Sequence, residues 1–292
     1  VQTYMKNGYT TVQEGRADRG TSELWRSLAN QNKLAIDVVS YPDISSEQAY
    51  MLEKGVSKNY VNHFRIGGVK ISLDGSPQGK TAWLTVPYVV PPEGKDKNYR
   101  GYPAFPEQKT VQHMIDLAFE QQWPILAHAN GDAAIDQYLN VIANAQKKYD
   151  ASQRRDVIIH AQTMREDQLD RAKQLHLIPS FFSLHTYYWG DWHVAQTLGE
   201  KRAEHISPTG SALRKGMIFT EHHDAPVIPP KSMMVWDATV HRTTRTGKVL
   251  GEAQKVSPYI ALKTMTDWAA YQYFEEDIKG TLSTGKSGDF VI

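Results

Sequence analysis

The 292-residue chain contains no cysteine. Disulfide bonds, thiolate metal ligands and cysteine nucleophiles are therefore excluded, and the usual sequence clue to the redox compartment is missing. No run of about 18 apolar residues is present, so we expect no membrane-spanning helix and no membrane partner. Residues 1–14 lack the basic start and apolar core of a signal peptide, which leaves cytoplasm, periplasm and secretion all open.

An excess of charge of either sign is also absent. The chain has 33 basic and 32 acidic residues, a net charge of +1, and no long basic run. This excludes the positive field that binding to a phosphate backbone requires, so we expect no nucleic-acid partner. With 40% hydrophobic and 22% charged residues, the composition is that of a globular protein. A small-molecule substrate is the expected partner, and a homo-oligomer stays open.

Short apolar or β-branched runs alternate with amphipathic stretches, as in parallel βα units. Seven runs are predicted to be strands: 9–14, 34–41, 65–74, 124–130, 157–162, 178–184 and 217–224. No linker rich in Gly, Ser and Pro divides the chain, which favours one barrel domain of the α/β class. A closed parallel barrel normally has eight strands, so one strand is either undetected or precedes Val1.

Three helix starts carry sequence signals. Asp132 is a plausible N-cap ahead of apolar residues at helical spacing. Thr163 and Glu166 have the spacing of a capping box, and Ser257 followed by Pro258 is typical of an N-cap and first helical position. Helices are therefore predicted to begin at these three places.

Residues 75–106 form the longest irregular stretch, and loops of this length are usually functional or disordered. Aromatic residues are frequent there and in and after the seventh predicted strand. They are expected to shape a substrate pocket, and equally to pack the loops onto the barrel: Trp83, Tyr88, Tyr99, Tyr102, Phe105, Phe181, Phe182, His185, Tyr187, Tyr188 and Trp189.

Polar side chains end several of the predicted strands. His128 and His160 each follow an apolar run, Asp224 follows the last one, and Lys70 lies within an apolar strand. Because active sites of parallel βα folds lie at the carboxyl ends of the strands, these side chains are expected to converge. Imidazole and carboxylate are usual ligands of Zn²⁺, and a buried lysine serves as a neutral nucleophile or, as a carbamate, as a metal bridge.

Each of these residues also has a structural interpretation. A histidine that ends a strand is often only hydrogen bonded, and Asp224 before Ala225 and Pro226 is compatible with a turn. Lys70 is compatible with an ion pair to Asp74 or with exposure to solvent. No local pattern such as HExxH fixes the geometry.

The segment 128–136 resembles the strand-five motif of the amidohydrolase superfamily, in its YtcJ-like subgroup (amidohydrolase family 3) of metal-dependent hydrolases. Further similar segments follow one another at 68–76, 159–162, 223–227 and 274–290. The resemblance implies a TIM-type (β/α)8 barrel. It assigns 1–280 to barrel strands two to eight and 281–292 to the start of a C-terminal β-sandwich segment. Strand one, with the family's His-x-His pair, and most of the accessory β-sandwich would then be missing from this chain.

The resemblance also implies roles for single residues. His128 and His160 would be metal ligands, and Asp224 would contact the metal and shuttle a proton. Lys70 would be a carbamylated bridging ligand, and one or two divalent ions, with zinc expected, would be bound. His222 and His223 stand where many relatives have Gly-Ser, and they are expected to contact substrate or metal or to be structural.

The resulting hypothesis is a metal-dependent amidohydrolase that cleaves a C–N bond other than a peptide bond with metal-activated water. Asp224 would take the proton of the water and pass it to the leaving nitrogen. The expected substrate contacts are Trp83, His185, Tyr187, His222 and His223. Two alternatives are a metal-free lyase or aldolase that uses Lys70 as a Schiff-base nucleophile, and a non-catalytic binding protein.

Overall fold

The computed structural model describes residues 1–290, which form an α/β fold with two parallel sheets. One sheet has the order β1-β2-β3 and the other the order β4-β5-β6-β7-β8. Every pair of neighbouring strands is parallel. The strands are β1 Thr11–Ala17, β2 Asp37–Pro42, β3 Phe64–Ile66, β4 Val69–Ser72, β5 Ile125–Ala129, β6 Val157–His160, β7 Ile178–Phe181 and β8 Thr220–Glu221.

Helices follow most strands, and they pack against the strands around one main apolar core. They are α1 Gln2–Met5, α2 Arg19–Asn30, α3 Gln48–Lys54, α4 Gln108–Glu120, α5 Asp132–Gln146, α6 Glu166–Gln174, α7 Leu184–Trp192, α8 Glu200–Ala203, α9 Thr209–Arg214, α10 Ser232–His241, α11 Pro258–Met265 and α12 Asp267–Gln272. A π-helical turn, His193–Thr197, follows α7, and a 3₁₀ turn spans Glu252–Gln254. No helix in residues 1–290 has the length and apolar character needed to cross a bilayer.

All seven predicted runs contain strand, but the prediction of one continuous strand over 65–74 is wrong. The run divides at Gly67 and Gly68 into β3, which pairs with β2, and β4, which pairs with β5. A Cβ on Gly68 would lie 2.2 Å from the carbonyl oxygen of Pro124, so only glycine lets the chain pass there. A parallel bridge between Asp43 and Lys70 keeps β4 beside β2.

The described part of the chain does not close the barrel. Within residues 1–290, β1 pairs with β2 alone and β8 pairs with β7 alone. Residues 281–290 contain no strand, and residues 291–292 lie outside the described residues. The missing strand one and the sandwich segment 281–292 stay predictions.

Of the three helix starts, the one at Ser257 is confirmed. The Ser257 side chain accepts a hydrogen bond at the start of α11. The N-cap at Asp132 is wrong by one residue, because α5 begins at Asp132 and its N-cap is Gly131. The capping box of Thr163 and Glu166 is wrong, because the Thr163 hydroxyl donates instead to a backbone carbonyl of the loop after β5, at 2.9 Å. At the start of α6, the Gln168 side chain instead accepts a hydrogen bond from the backbone N–H of Arg165 at 3.0 Å.

Residues 73–107 contain neither helix nor strand. Their aromatic side chains pack the loop onto the barrel: the rings of Tyr88 and Tyr99 stack with centroids 5.8 Å apart. The Tyr88 hydroxyl donates to the carbonyl of Ala82, and the Tyr99 hydroxyl to that of Lys80. For these two tyrosines the structure therefore supports the packing interpretation.

Candidate active site

A cavity of about 290 Å³ lies beyond the carboxyl ends of β4 to β8. Five of the residues predicted from the sequence line it together, namely His128, His160, Phe182, His185 and Asp224. The remaining lining residues are Gly75, Ser76, Gln78, Thr81, Asn130 and Val227. The two imidazoles and the carboxylate that follow predicted strands therefore converge on one cavity, as expected.

The rings of His128 and His160 face each other on neighbouring strands. His128 lies near the end of β5 and His160 is the last residue of β6, and the register pairs Ala129 with His160. The Nδ1 atom of His128 is 3.1 Å from the Nε2 atom of His160. The other nitrogen of His128, Nε2, is 3.1 Å from the carbonyl oxygen of Gly75. The amide nitrogen of Asn130 also lies 3.2 Å from Nε2. In the tautomer in which Nε2 of His128 donates to the Gly75 carbonyl, Nδ1 presents its lone pair to His160.

A third imidazole continues this contact. His222, which follows β8, places Nε2 at 2.9 Å from Nδ1 of His160, and its own Nδ1 is 3.1 Å from the Ser180 hydroxyl oxygen. The three rings form a row because His160 uses a different nitrogen toward each neighbour. Accordingly, no group of three His, Asp or Glu side chains in residues 1–290 is arranged to hold a metal ion.

Burial keeps the three rings neutral. It lowers the pKa of His128 to about 3, with the nearby charge of Lys70 acting in the same direction. Burial, followed by the neighbouring histidines, holds the pKa of His160 and of His222 well below the usual value. Neutral imidazole is the form that binds metal ions.

Lys70 lies in β4 with 6% of its surface exposed. Burial lowers its pKa to about 8, opposed by the charges of Asp224 and Asp43. The ion pair with Asp74 that the sequence allowed is not formed, and in the described part of the chain the Lys70 amine has no hydrogen-bond partner. Burial raises the pKa of Asp224, and the Lys70 charge lowers it, so these two groups act on each other across the site.

Two of the cavity residues have left-handed backbone conformations. His160 has φ 76° and Asp224 has φ 54°, and neither is glycine. Such a conformation costs roughly 1–3 kcal/mol and is concentrated at functional sites. His160 is the last residue of β6, Asp224 lies three residues after β8, and both line the cavity, which agrees with a functional role.

Asp74, which the sequence analysis considered only as an ion-pair partner of Lys70, holds backbone segments beside the site. Its carboxylate accepts hydrogen bonds from the backbone N–H groups of Asn130 at 2.9 Å, Gly131 at 2.7 Å and Trp83 at 3.0 Å. One oxygen lies 3.4 Å from Nε2 of His128. Burial raises the pKa of Asp74 to about 7, although the three backbone donors lower it. Asp74 thereby fixes the long loop and the end of β5 to one another.

We expect Asp74→Asn to lower the free energy of unfolding. An amide has a single acceptor oxygen, so its NH₂ group would face donors among Asn130, Gly131 and Trp83. Buried donors without partners cost about 1–3 kcal/mol each, which gives a loss of roughly 2–4 kcal/mol. Urea unfolding followed by fluorescence measures the change, with Asp237→Asn on the exposed side of α10 as the matched control. Equal stability of both variants and the parent would contradict this role.

His185 lines the cavity, and its ring is hydrogen bonded to a second buried histidine. Its Nδ1 is 3.1 Å from Nε2 of His193, and Nδ1 of His193 is 2.8 Å from the hydroxyl oxygen of Thr197. His193 and Thr197 bound the π-helical turn, a feature common at functional sites. The supporting pair was not predicted, because only the turn brings residues 193 and 197 behind residue 185.

The other predicted substrate residues lie outside the cavity wall. Trp83 packs with the main core, and the Tyr187 ring lies against Tyr188 and the Arg245 guanidinium. His223 packs against two tyrosine rings near the N-terminus, with centroids 5.6 and 5.2 Å away. His222 reaches the cavity only through His160.

Asn130 is a cavity residue that the sequence reasoning did not assign. Its amide nitrogen donates to the Gly75 carbonyl at 2.8 Å, whereas its Oδ1 is buried without a hydrogen-bond partner in the described residues. A signal was available, because Asn130 follows His128 by two residues and so lies on the same side of the extended strand end.

The sequence of this chain is similar to those of known proteins over most of its length. The sequence profile described as "Amidohydrolase family" matches residues 1–292. The putative amidohydrolase YtcJ of Bacillus subtilis (strain 168) is 25% identical over 236 residues, which cover 79% of this chain and 42% of that protein. The protein LONG AFTER FAR-RED 3 of Arabidopsis thaliana is 28% identical over 243 residues, which cover 78% of this chain and 38% of that protein. The matched regions span about two-fifths of the length of these curated relatives.

Two solved structures share the fold. They are uncharacterized metal-dependent hydrolases from Pyrococcus furiosus and Pyrococcus horikoshii OT3, with TM-scores of 0.82 and 0.83. Each is 23% identical in sequence, and each alignment covers 99% of this chain and 57% of the other. This chain therefore has the fold seen in part of those proteins.

Proposed function

This chain belongs to the amidohydrolase family, and on that premise we propose that it carries the catalytic centre of a metal-dependent hydrolase that cleaves an amide-like C–N bond. The observation that supports this most directly is the approach of His128 Nδ1 to His160 Nε2 at 3.1 Å, on the wall of a cavity shared with Asp224.

The residues present fit a divalent ion. Two nitrogens of neutral imidazoles face one another, and Nδ1 of His128 presents a lone pair when Nε2 donates to the Gly75 carbonyl. Asn130, which also lines the cavity, has a buried Oδ1 without a hydrogen-bond partner in the described residues. Nitrogen and oxygen donors of this kind suit zinc and related ions, and His128 and His160 would hold the ion.

Asp224 is the proposed proton carrier. When bound, the ion would lower the pKa of water toward neutrality and polarise the substrate carbonyl. Asp224 lies on the cavity wall, and its raised pKa brings it nearer to the range in which a carboxylate exchanges protons at neutral pH. It would accept the proton of the attacking water and pass it to the leaving nitrogen.

The cavity wall limits the substrate to a small molecule. About 290 Å³ is at the lower end of the usual range for ligand sites. Gln78 and Thr81 supply polar groups on one side, and Phe182 and Val227 supply apolar ones. His185 would donate to or accept from the substrate, since the described residues offer its Nε2 no hydrogen-bond partner.

A second candidate is a lyase or aldolase that uses Lys70 as an amine nucleophile. The observation in its favour is the pKa of about 8, which leaves part of the amine neutral near pH 7. The same property permits reaction with CO₂ to a carbamate that would act as a metal ligand.

Substitution of Lys70 separates these chemistries. If Lys70 is a carbamate ligand, Lys70→Glu should keep part of the metal and of the hydrolysis, because glutamate supplies an oxygen anion, whereas Lys70→Ala should lose both. A Schiff-base lysine predicts that both variants are equally inactive with unchanged metal content. The measurements are metal content and hydrolysis of an amide panel, with and without bicarbonate and chelator.

The parent also needs one direct control. Borohydride reduction in the presence of substrate should leave Lys70 unmodified if the enzyme is a metal-dependent hydrolase. Covalent trapping at Lys70 together with indifference to chelators would overturn the hydrolase in favour of the lyase.

A further inference from the structure

Four side chains, two of them buried and two half-buried, form a continuous row of contacts that ends at the cavity. The Ser180 hydroxyl is 3.1 Å from Nδ1 of His222, and Nε2 of His222 is 2.9 Å from Nδ1 of His160. Nε2 of His160 is 3.1 Å from Nδ1 of His128, whose Nε2 is 3.1 Å from the Gly75 carbonyl. We call Ser180, His222, His160 and His128 the histidine row.

Without a metal ion, the tautomer of His128 that donates from Nε2 to the Gly75 carbonyl sets the protons of the whole row. The Gly75 carbonyl accepts from Nε2 of His128, so Nδ1 of His128 accepts from Nε2 of His160. Nδ1 of His160 then accepts from Nε2 of His222, and Nδ1 of His222 accepts from the Ser180 hydroxyl. Every contact holds one proton, and each ring is neutral.

An ion held by His128 and His160 requires the opposite arrangement. It takes the lone pairs of His128 Nδ1 and His160 Nε2, so the proton of His160 has to sit on Nδ1. That proton needs an acceptor, because an unsatisfied buried donor is costly. Nε2 of His222, at 2.9 Å, is the acceptor, provided that His222 carries its own proton on Nδ1 and donates it to Ser180.

The proton balance closes. His160 and His222 each release a proton from Nε2 and gain one on Nδ1, both by exchange with water, and the Ser180 hydroxyl turns from donor to acceptor. The number of bound protons and the charge of the row do not change.

We propose that His222, supported by Ser180, is a positioning residue that sets which nitrogen of His160 is protonated and so presents Nε2 of His160 to the metal ion. The inference rests on the proposed function. The backbone favours it, because the His222 N–H donates to the Phe181 carbonyl at 3.1 Å and fixes residue 222 beside the end of β7. Outer partners of this kind orient a ligating imidazole and set its tautomer.

Zinc affinity, measured in the protein by competition with a fluorescent chelator, tests the inference. We expect His222→Leu to weaken zinc binding about 10- to 100-fold, the usual effect of losing an outer partner. His222→Gln should restore most of the affinity, because the glutamine carbonyl accepts from Nδ1 of His160. Ser180→Ala should show a smaller loss, and His241→Leu, at an exposed histidine on α10, should bind zinc like the parent.

A spectroscopic measurement distinguishes positioning from packing. In protein labelled with ¹⁵N-histidine, the proton of His160 should be on Nε2 without metal and on Nδ1 with zinc, in the parent and in His222→Gln. Thermal unfolding confirms that each variant is folded.

The outcomes separate the two proposals. If the parent takes up no zinc at His128 and His160, the proposed function fails and the inference falls with it. If the parent binds zinc and His222→Leu binds it equally well, or if His160 keeps its proton on Nε2 in the zinc form, the inference alone is overturned.

Discussion

Replacement of either His128 or His160 by alanine is expected to abolish metal binding and hydrolysis. These residues supply the two imidazoles that meet at 3.1 Å, and loss of either leaves the proposed pair with a single imidazole. A catalytic metal contributes several kcal/mol to the transition state, so we expect the rate to fall at least about 1000-fold. Metal analysis of the purified variants and assays with added zinc measure the effect.

The matched control for this pair is His241→Ala. His241 lies exposed on α10, and we expect its replacement to change neither metal content nor rate. Circular dichroism of all three variants should match the parent, because the substitutions leave the strands intact. Full metal content and activity in either the His128 or the His160 variant would refute the proposed centre.

Replacement of Asp224 by asparagine is expected to lower kcat by about 100- to 10,000-fold, the usual contribution of a positioned acid or base. Asparagine has nearly the same shape but cannot take up the proton of the attacking water. Because the two imidazoles remain, we expect most of the metal to be retained and KM to change little.

The experiment compares Asp224→Asn with Asp237→Asn, an exposed aspartate of α10. Steady-state rates and metal content are measured for both. A kcat within a few-fold of the parent would show that another group carries the proton. Loss of metal together with rate would instead make Asp224 chiefly a ligand.

The strand pattern was enough to place the main candidate residues. Apolar runs ending in His128, His160 and Asp224 predicted three side chains at one end of a parallel sheet, and the structure brings all three to one cavity. This works because strand direction alone decides where the residue after a parallel strand lies. The run 65–74 shows where the strand pattern is not sufficient. The chain changes its partner strand at Gly67, and this change depends on residues outside the run.

The sequence by itself determined the α/β class, seven segments that contain strand and the types of the polar residues that end them, because periodicity and residue chemistry are local properties. Tertiary structure alone decided which polar groups meet. The Asp74 carboxylate accepts from three backbone N–H groups in two segments of the chain. His222 contacts His160 and does not line the cavity itself, and Trp83 packs with the main core. Such contacts join residues tens of positions apart, and their partners follow from packing and the need to satisfy buried polar atoms.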